Sequence, residues 1–320
     1  MAELINVARN KRVNALGSNT SAITDGITDA NVHWDGGPAP AAATVDLEGL
    51  YDIDSIRLTT YYGDERCYQF EVYAGKTSGS LSLIYEQKND VEATAEGYLV
   101  TFPKVTARYV KVVLTHNTAN PSVHIADLAV YGVKSKEKEA KVALAPYADK
   151  DDLAYGKKTR ANANSSFSCL VTDGSDETCW IGELYPRFVD VDLEENYRLD
   201  RVVIVAPDFA EFDYSLYLSL DGVNFERAAS VKTTPKKRSA EVALDAKKAR
   251  VIRVLCTGTS QGAKGASALC AVKAYGTKAG GRVTPTRKKI EMTTYDEWLK
   301  KTAGVDLRKL KDEKGLYNVR

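Results

Sequence analysis

The sequence repeats itself, and no other feature constrains its fold as much. Asn6-Val7-Ala8-Arg9-Asn10-Lys11 is echoed by Asp152-Leu153-Ala154-Tyr155-Gly156-Lys157. Thr24-Asp25-Gly26 returns as Thr172-Asp173-Gly174, each followed by a tryptophan (Trp34, Trp180). Val45-Asp46-Leu47 recurs as Val191-Asp192-Leu193, and Ile53-Asp54-Ser55-Ile56 as Leu199-Asp200-Arg201-Val202. Ala107-Arg108-Tyr109-Val110 matches Ala249-Arg250-Val251-Ile252, and the copies close on Ala129-Val130-Tyr131-Gly132 and Lys273-Ala274-Tyr275-Gly276. Six ordered matches at an offset held between 142 and 148 residues mark one structural unit used twice. At 320 residues the chain is long enough to build two cores.

Within each copy the period is that of strands. Ile53 to Tyr61 alternates apolar with polar, and Tyr109-Val110-Lys111-Val112-Val113-Leu114 is β-branched and aromatic between polar loops. Tyr68 to Tyr73 and Tyr214 to Leu220 read the same way, giving seven or eight strands per copy and no long helix. The expected fold is all-β: two tandem antiparallel β-sandwiches, residues 1–133 and 152–277, joined by a charged linker at 134–151. Residues 278–320 form a basic tail with twelve Lys/Arg against six Asp/Glu. In that tail Thr294-Tyr295-Asp296-Glu297 has the form of a helix capping box, and Trp298, Leu299, Leu307 and Leu310 follow it. A short basic helix there has no core of its own, so self-association or docking on a larger assembly is expected of it.

Composition excludes several classes. With 44 Lys+Arg against 43 Asp+Glu, the formal net charge of +1 fits neither an acidic disordered chain nor a globally basic nucleic-acid binder. No apolar run approaches the roughly 20 residues that span a bilayer, so no membrane insertion is expected. The start, Met1-Ala2-Glu3-Leu4-Ile5-Asn6, lacks the basic and apolar regions of a secretory signal, which points to synthesis in the cytosol or to a trimmed secreted chain. Five cysteines without a Cys-x-x-Cys pair argue against zinc, and the expectation is free thiols, with Cys256 and Cys270 able to approach if their strands are neighbours.

The early Asn-x-Ala-x-x-Lys, the Asp-Gly turn before a Trp, Val-Asp-Leu, Ala-Arg-Tyr-Val-Lys and the closing Val-Tyr-Gly resemble the discoidin family. This family is also called coagulation-factor type C domains and includes the family 32 carbohydrate-binding modules. The resemblance covers both copies, about 250 residues. It implies a galactose-binding-like jelly-roll fold and leaves the ligand open, since members bind galactose-type and other glycans, phospholipids and proteins. It also implies a structural calcium ion in the pattern Asp-Gly-x-x-x-Thr-x-Trp, closed by an acid five residues before the final Gly. No other cofactor is expected. The second copy matches the turn with Asp173 and Thr178 but has Ala271 for the closing acid. The first keeps that acid as Asp127, while the turn opened by Asp25 is longer and has Ala30 in place of Thr. Asp25, Asp127, Asp173 and Thr178 are therefore the candidate calcium ligands, against an alternative in which the turns hold themselves by hydrogen bonds alone.

Sugar sites in such modules need an aromatic face and planar polar groups. The first copy offers Tyr61-Tyr62-Gly63-Asp64-Glu65-Arg66, the loop His116-Asn117 to Ser122-Val123-His124, and His33-Trp34. From these, Trp34, Tyr62, Arg66, His116, Asn117 and His124 are the candidate glycan contacts; Trp34 equally suits a core plug, and the tyrosines could pack under the loops. The second copy has no His or Asn in its last loop and reads as a spacer or protein contact. No Gly-x-Ser-x-Gly, His-Glu-x-x-His or phosphate-binding loop is present, so no enzyme is expected. Three readings remain: a carbohydrate-binding protein, a structural or receptor-binding part of a virus particle, or an ancillary region of a larger glycoside hydrolase.

Overall fold

The computed structural model describes residues 5–137, 147–261 and 265–281, and all of these fall in one compact unit. The tail beyond residue 281, with the helix expected at Thr294, and the middle of the charged linker lie outside the described residues. No helix among the described residues is long and apolar enough to cross a membrane.

The first half contains β1 (Ile5–Asn6), β2 (Arg12–Ala15), β3 (Trp34–Pro38), β4 (Ala41–Thr60), β5 (Tyr68–Thr77), β6 (Ser80–Gln87), β7 (Tyr98–Asn117) and β8 (Ser122–Lys134). The second contains β9 (Lys158–Ala161), β10 (Trp180–Leu184), β11 (Arg187–Val205), β12 (Phe212–Ser219), β13 (Glu226–Thr233), β14 (Ser239–Thr259), β15 (Ala266–Leu269) and β16 (Ala271–Lys278). All pairings are antiparallel. One sheet runs β6-β5-β7-β4-β8-β1 with β2 on β4 and β3 on β8; a second runs β13-β12-β14-β11-β16 with β9 on β11; and β10 pairs with β15 in a separate two-stranded sheet. The same order in both halves is what the repeat anticipates. The fold is all-β, as expected from the two-residue periodicity.

The long strands make the sandwich. The first part of β4 pairs with β2, and its second part pairs with β8, so a single strand crosses from one face to the other. The crossing is a bulge between Asp46 and Tyr51, where Glu48 takes φ 60° and its N–H bonds Asp46 Oδ1 at 2.8 Å. Arg108 on β7 clasps Asp46 at 2.8 and 3.1 Å, and Lys11 reaches Glu48 at 2.7 Å. The second copy repeats every part: Glu194 has φ 71°, Arg250 holds Asp192 at 2.8 and 2.7 Å, and Lys157 meets Glu194 at 3.0 Å. The repeated Val-Asp-Leu, Ala-Arg and Lys are thus one bulge fastener. Asn6 and Asp152 work alike at the sheet end, each accepting from the last strand through Val130 N and Ala274 N.

Two cores of Val, Ile, Leu, Phe and Tyr fill the sandwiches, each such side chain contributing about 1.5–3 kcal/mol when fully buried. The halves are joined directly. Asn14 donates to Cys179 O at 3.1 Å and accepts from Ile181 N at 3.0 Å, while Asn164 donates to Val13 O at 3.3 Å. Tyr109 of β7 joins the second core, edge-on to Phe167 with ring centroids 5.5 Å apart.

The cysteines correct the sequence expectation. Cys179 and Cys270 form a disulfide, and Cys270 does not pair with Cys256. The reason is register: Trp180 lies opposite Leu269 on β10 and β15, which makes Cys179 and Cys270 the next opposed positions, with Cα atoms 3.9 Å apart. Cys67, Cys169 and Cys256 are free.

Candidate functional site

At one end of the first sandwich, three segments converge. Strand alternation places Arg66, Tyr68 and Phe70 on the buried face of the chain entering β5. The β3–β8 register sets Asp35 beside His124, and His33 precedes the buried Trp34. The turn after β4 supplies Tyr61 and Asp64. Arg66 grips Asp64 with two bonds, Nε to Oδ1 at 2.7 Å and Nη2 to Oδ2 at 2.5 Å, and donates from Nη1 to the Tyr68 hydroxyl at 3.3 Å. That hydroxyl lies 3.1 Å from His124 Nδ1.

The rings frame this chain. The Arg66 guanidinium sits 4.3 Å over the Tyr61 ring centroid. His33 meets His124 edge-on at 4.8 Å and Tyr61 at 5.6 Å between centroids. His33 Nδ1 is 2.7 Å from Ala30 O, which fixes its ring. His124 Nε2 is 3.9 Å from Asp35 Oδ1. Burial and, secondarily, the neighbouring His33 hold His124 below the ordinary histidine range, so it is neutral at pH 7. The hydrogen bond to Arg66 holds the Asp64 carboxyl below its ordinary range. The result is a set of donors and acceptors walled by three rings.

Of the residues anticipated for this role, the structure brings together Arg66 and His124. Trp34 is at 0% exposure, with its Nε1 bonded to Leu16 O at 2.6 Å, so it is a core plug with no face for a ligand. Trp180 does the same through Ala163 O at 2.9 Å. Asn117 is buried and ties its own loop, donating to Ser122 O at 2.6 Å. His116 is exposed on β7 opposite Gln69, and Tyr62 packs against the first core. His33, Tyr61 and Asp64 lie in the segments that the sequence offers for this site but are not among its six candidate contacts, and Asp35 and Tyr68 lie outside those segments. The usable signal was alternation: a buried Trp34 turns its neighbours His33 and Asp35 to the other face.

A family model for the NedA-like, galactose-binding domain matches residues 22–112 and again 170–254. Those stretches make up more than half of the chain. The chain belongs to this family.

Among solved structures, this galactose-binding-domain protein is similar to a fucolectin from striped bass (Morone saxatilis) serum, at 17% identity and a TM-score of 0.35, over 87% of this chain and 100% of that one. It is also similar to a CBM32 module from Clostridium perfringens in complex with GlcNAc-α-1,4-galactose, at 24% identity and TM-score 0.35, over 41% and 96%. A family 89 glycoside hydrolase from Clostridium perfringens matches at 23% identity and TM-score 0.39 over 45% of this chain, which spans 16% of the hydrolase. No curated protein sequence matches.

The two galactose-binding domains differ at this end of the sandwich. The β10–β15 register puts Ile181 and Ala268 where the first domain has Asp35 and His124. Phe212 opens β12 where Tyr68 opens β5, Ala210 stands for Arg66, and Cys179 precedes Trp180 as His33 precedes Trp34. Among the described residues the polar set exists once.

The calcium ion implied by the family does not fit the residues of either domain. In the first, Gly26 (φ 70°) lies directly against the Arg9 guanidinium, with which a Cβ there would collide, and Asp127 Oδ1 accepts Gly26 N at 2.9 Å. Asp25 Oδ1 accepts Ile27 N at 2.8 Å. In the second, Asp173 accepts Ser175 N at 2.9 Å and Thr178 Oγ1 at 2.8 Å, and the Tyr147 and Tyr155 rings pack over Gly174. Ala271 occupies the position of Asp127, across from Val205 as Asp127 is from Thr59. Among the described residues no cluster of three acidic, histidine or cysteine side chains is arranged for a metal. In both turns the carboxylate oxygens accept N–H or O–H groups of the protein.

Proposed function

We propose that the protein is a non-catalytic carbohydrate-binding protein that takes a galactose-type sugar at the His33, Tyr61, Arg66 and His124 site of its first domain. The observation that carries this reading is the Asp64–Arg66–Tyr68–His124 hydrogen-bond chain set among aromatic rings. Sugar recognition needs fixed donors and acceptors for hydroxyls beside an apolar face for the C–H side of the ring, and this end of the sandwich supplies both. The family's binding chemistry supports the same reading. The second domain, without the polar set, serves as scaffold. The Cys179–Cys270 disulfide supports action in an oxidising, extracellular setting.

A single site of this size binds weakly, with Kd between about 10 μM and 1 mM, or about −4 to −7 kcal/mol. Titration calorimetry with galactose, backed by a glycan array, tests the reading. Arg66→Ala and His124→Ala should each reduce affinity at least about tenfold, equivalent to roughly 1.4 kcal/mol. Undiminished binding by a folded double variant would remove this site from consideration.

A further inference from the structure

Between the two domains lies a cleft of about 1140 Å³, somewhat larger than the roughly 300–1,000 Å³ of sites that hold small molecules. Its first-domain wall runs along Asp35, Gly36 and Gly37, and its second-domain wall carries Asp208, Phe209 and Gln261. Asp35 therefore belongs to both features: it lines the cleft, and its carboxylate is 3.9 Å from His124 Nε2 in the sugar site.

We infer that this cleft holds the continuation of an oligosaccharide whose first unit sits at Arg66 and His124, with Phe209 as the stacking platform for a later unit. The inference rests on the sugar-site reading and adds the class of ligand: a chain, not a single sugar. Three observations carry it. Phe209 is half-buried, lines the cleft and stands edge-on to Phe212 with centroids 5.4 Å apart, a contact that holds its ring in place. Gly36 and Gly37 flatten the path from Asp35, and nothing lies within 4 Å of the place a Cβ would take at Gly37. The lining mixes carboxylate, amide and aromatic groups, as a hydroxyl-rich chain requires. The hydrogen bonds of Asn14 and Asn164 fix the width of the cleft, so little ordering is left for the ligand to impose.

The test is calorimetric titration of the full chain with galactose and with galacto-oligosaccharides of two to about six units. Affinity should rise about tenfold or more from monosaccharide to the longer chains. Phe209→Ala should abolish that rise and leave galactose affinity unchanged. Asp208→Arg, an exposed substitution that fills the cleft without touching a core, should do the same. Galactose binding with no gain on lengthening, or a gain that survives both variants, overturns the cleft while the sugar site stands. Failure of every probe to bind overturns the sugar site and the cleft with it.

Discussion

Asp127 lies beneath the Asp25-Gly26 turn at 5% exposure, with the Gly26 N–H on its Oδ1. Burial, reinforced by Asp25, raises its carboxyl to about 6 in spite of the Gly26 N–H and the nearby Arg9. Its pKa is thus higher in the folded chain than in the unfolded one. Between about pH 4 and 6 the folded state binds the extra proton, so stability falls as pH rises through that window and stays lower above it. The shift corresponds to at most about 3 kcal/mol, nearer 2 once solvent at the turn is allowed for. Asp127→Asn keeps an acceptor for Gly26 and removes the charge. Thermal melts from pH 4 to 8 should show the wild type losing melting temperature across that window and the variant staying flat and more stable at pH 7. Equal slopes would refute the assignment. With Arg9 packed against the same turn, added calcium or chelator should leave the melting temperature unchanged, and a large drop with chelator would contradict the closed-turn geometry. In the site itself, Tyr68→Phe leaves Arg66 Nη1 and His124 Nδ1 without their shared partner, a loss of about 1–3 kcal/mol by denaturation. It also removes the bond that holds the His124 ring, so galactose affinity should fall although the Tyr68 ring is retained.

The bulge fasteners show what the sequence could and could not disclose. Every repeated motif is a structural clasp: Asn6 and Asp152 at the sheet end, Lys11 and Lys157 on the bulge glutamates, Arg108 and Arg250 on the bulge aspartates, Trp34 and Trp180 in the cores. Comparing the copies therefore reveals the scaffold, and the sandwiches and strand order follow from it. The site sits where the copies differ, at His33, Asp35, Arg66, Tyr68 and His124, so self-similarity passes over it. Trp34 attracted notice as an aromatic beside a loop, but a ring that pairs its indole N–H with Leu16 O belongs to the core. The disulfide joins cysteines 91 residues apart, through a β10–β15 register that no local pattern encodes. The clasps also differ in depth. The Asp46 side chain is 1% exposed and that of Asp192 is 31%. Arg108→Ala strands a buried charge and should cost about 3–5 kcal/mol, whereas Arg250→Ala should cost about 1. Urea denaturation of both variants checks the order; equal losses would mean that burial is not what sets the strength of the clasp.

At the scale of the whole molecule, the junction between the domains decides whether they act as one body. Asn14 and Asn164 are buried side chains that bond backbone of the opposite domain, and Tyr109 of the first sheet packs on Phe167 and reaches Ser166 O at 3.4 Å. Such groups are expensive to separate, since each unpartnered polar atom left buried costs about 1–3 kcal/mol and the aromatic pair adds about 0.5–1.5. Their sum is comparable to the stability of a small domain, so the two sandwiches should unfold together. Calorimetry of residues 1–281 should give one transition whose van't Hoff enthalpy equals the calorimetric enthalpy. Asn14→Ala combined with Tyr109→Ala should split it into two, and the same variant, with its cleft no longer held at fixed width, should keep galactose affinity while losing the gain on longer chains. Should the double variant still melt in one step with the gain intact, coupling must run through other contacts, and the rigid cleft would have to be explained without this junction.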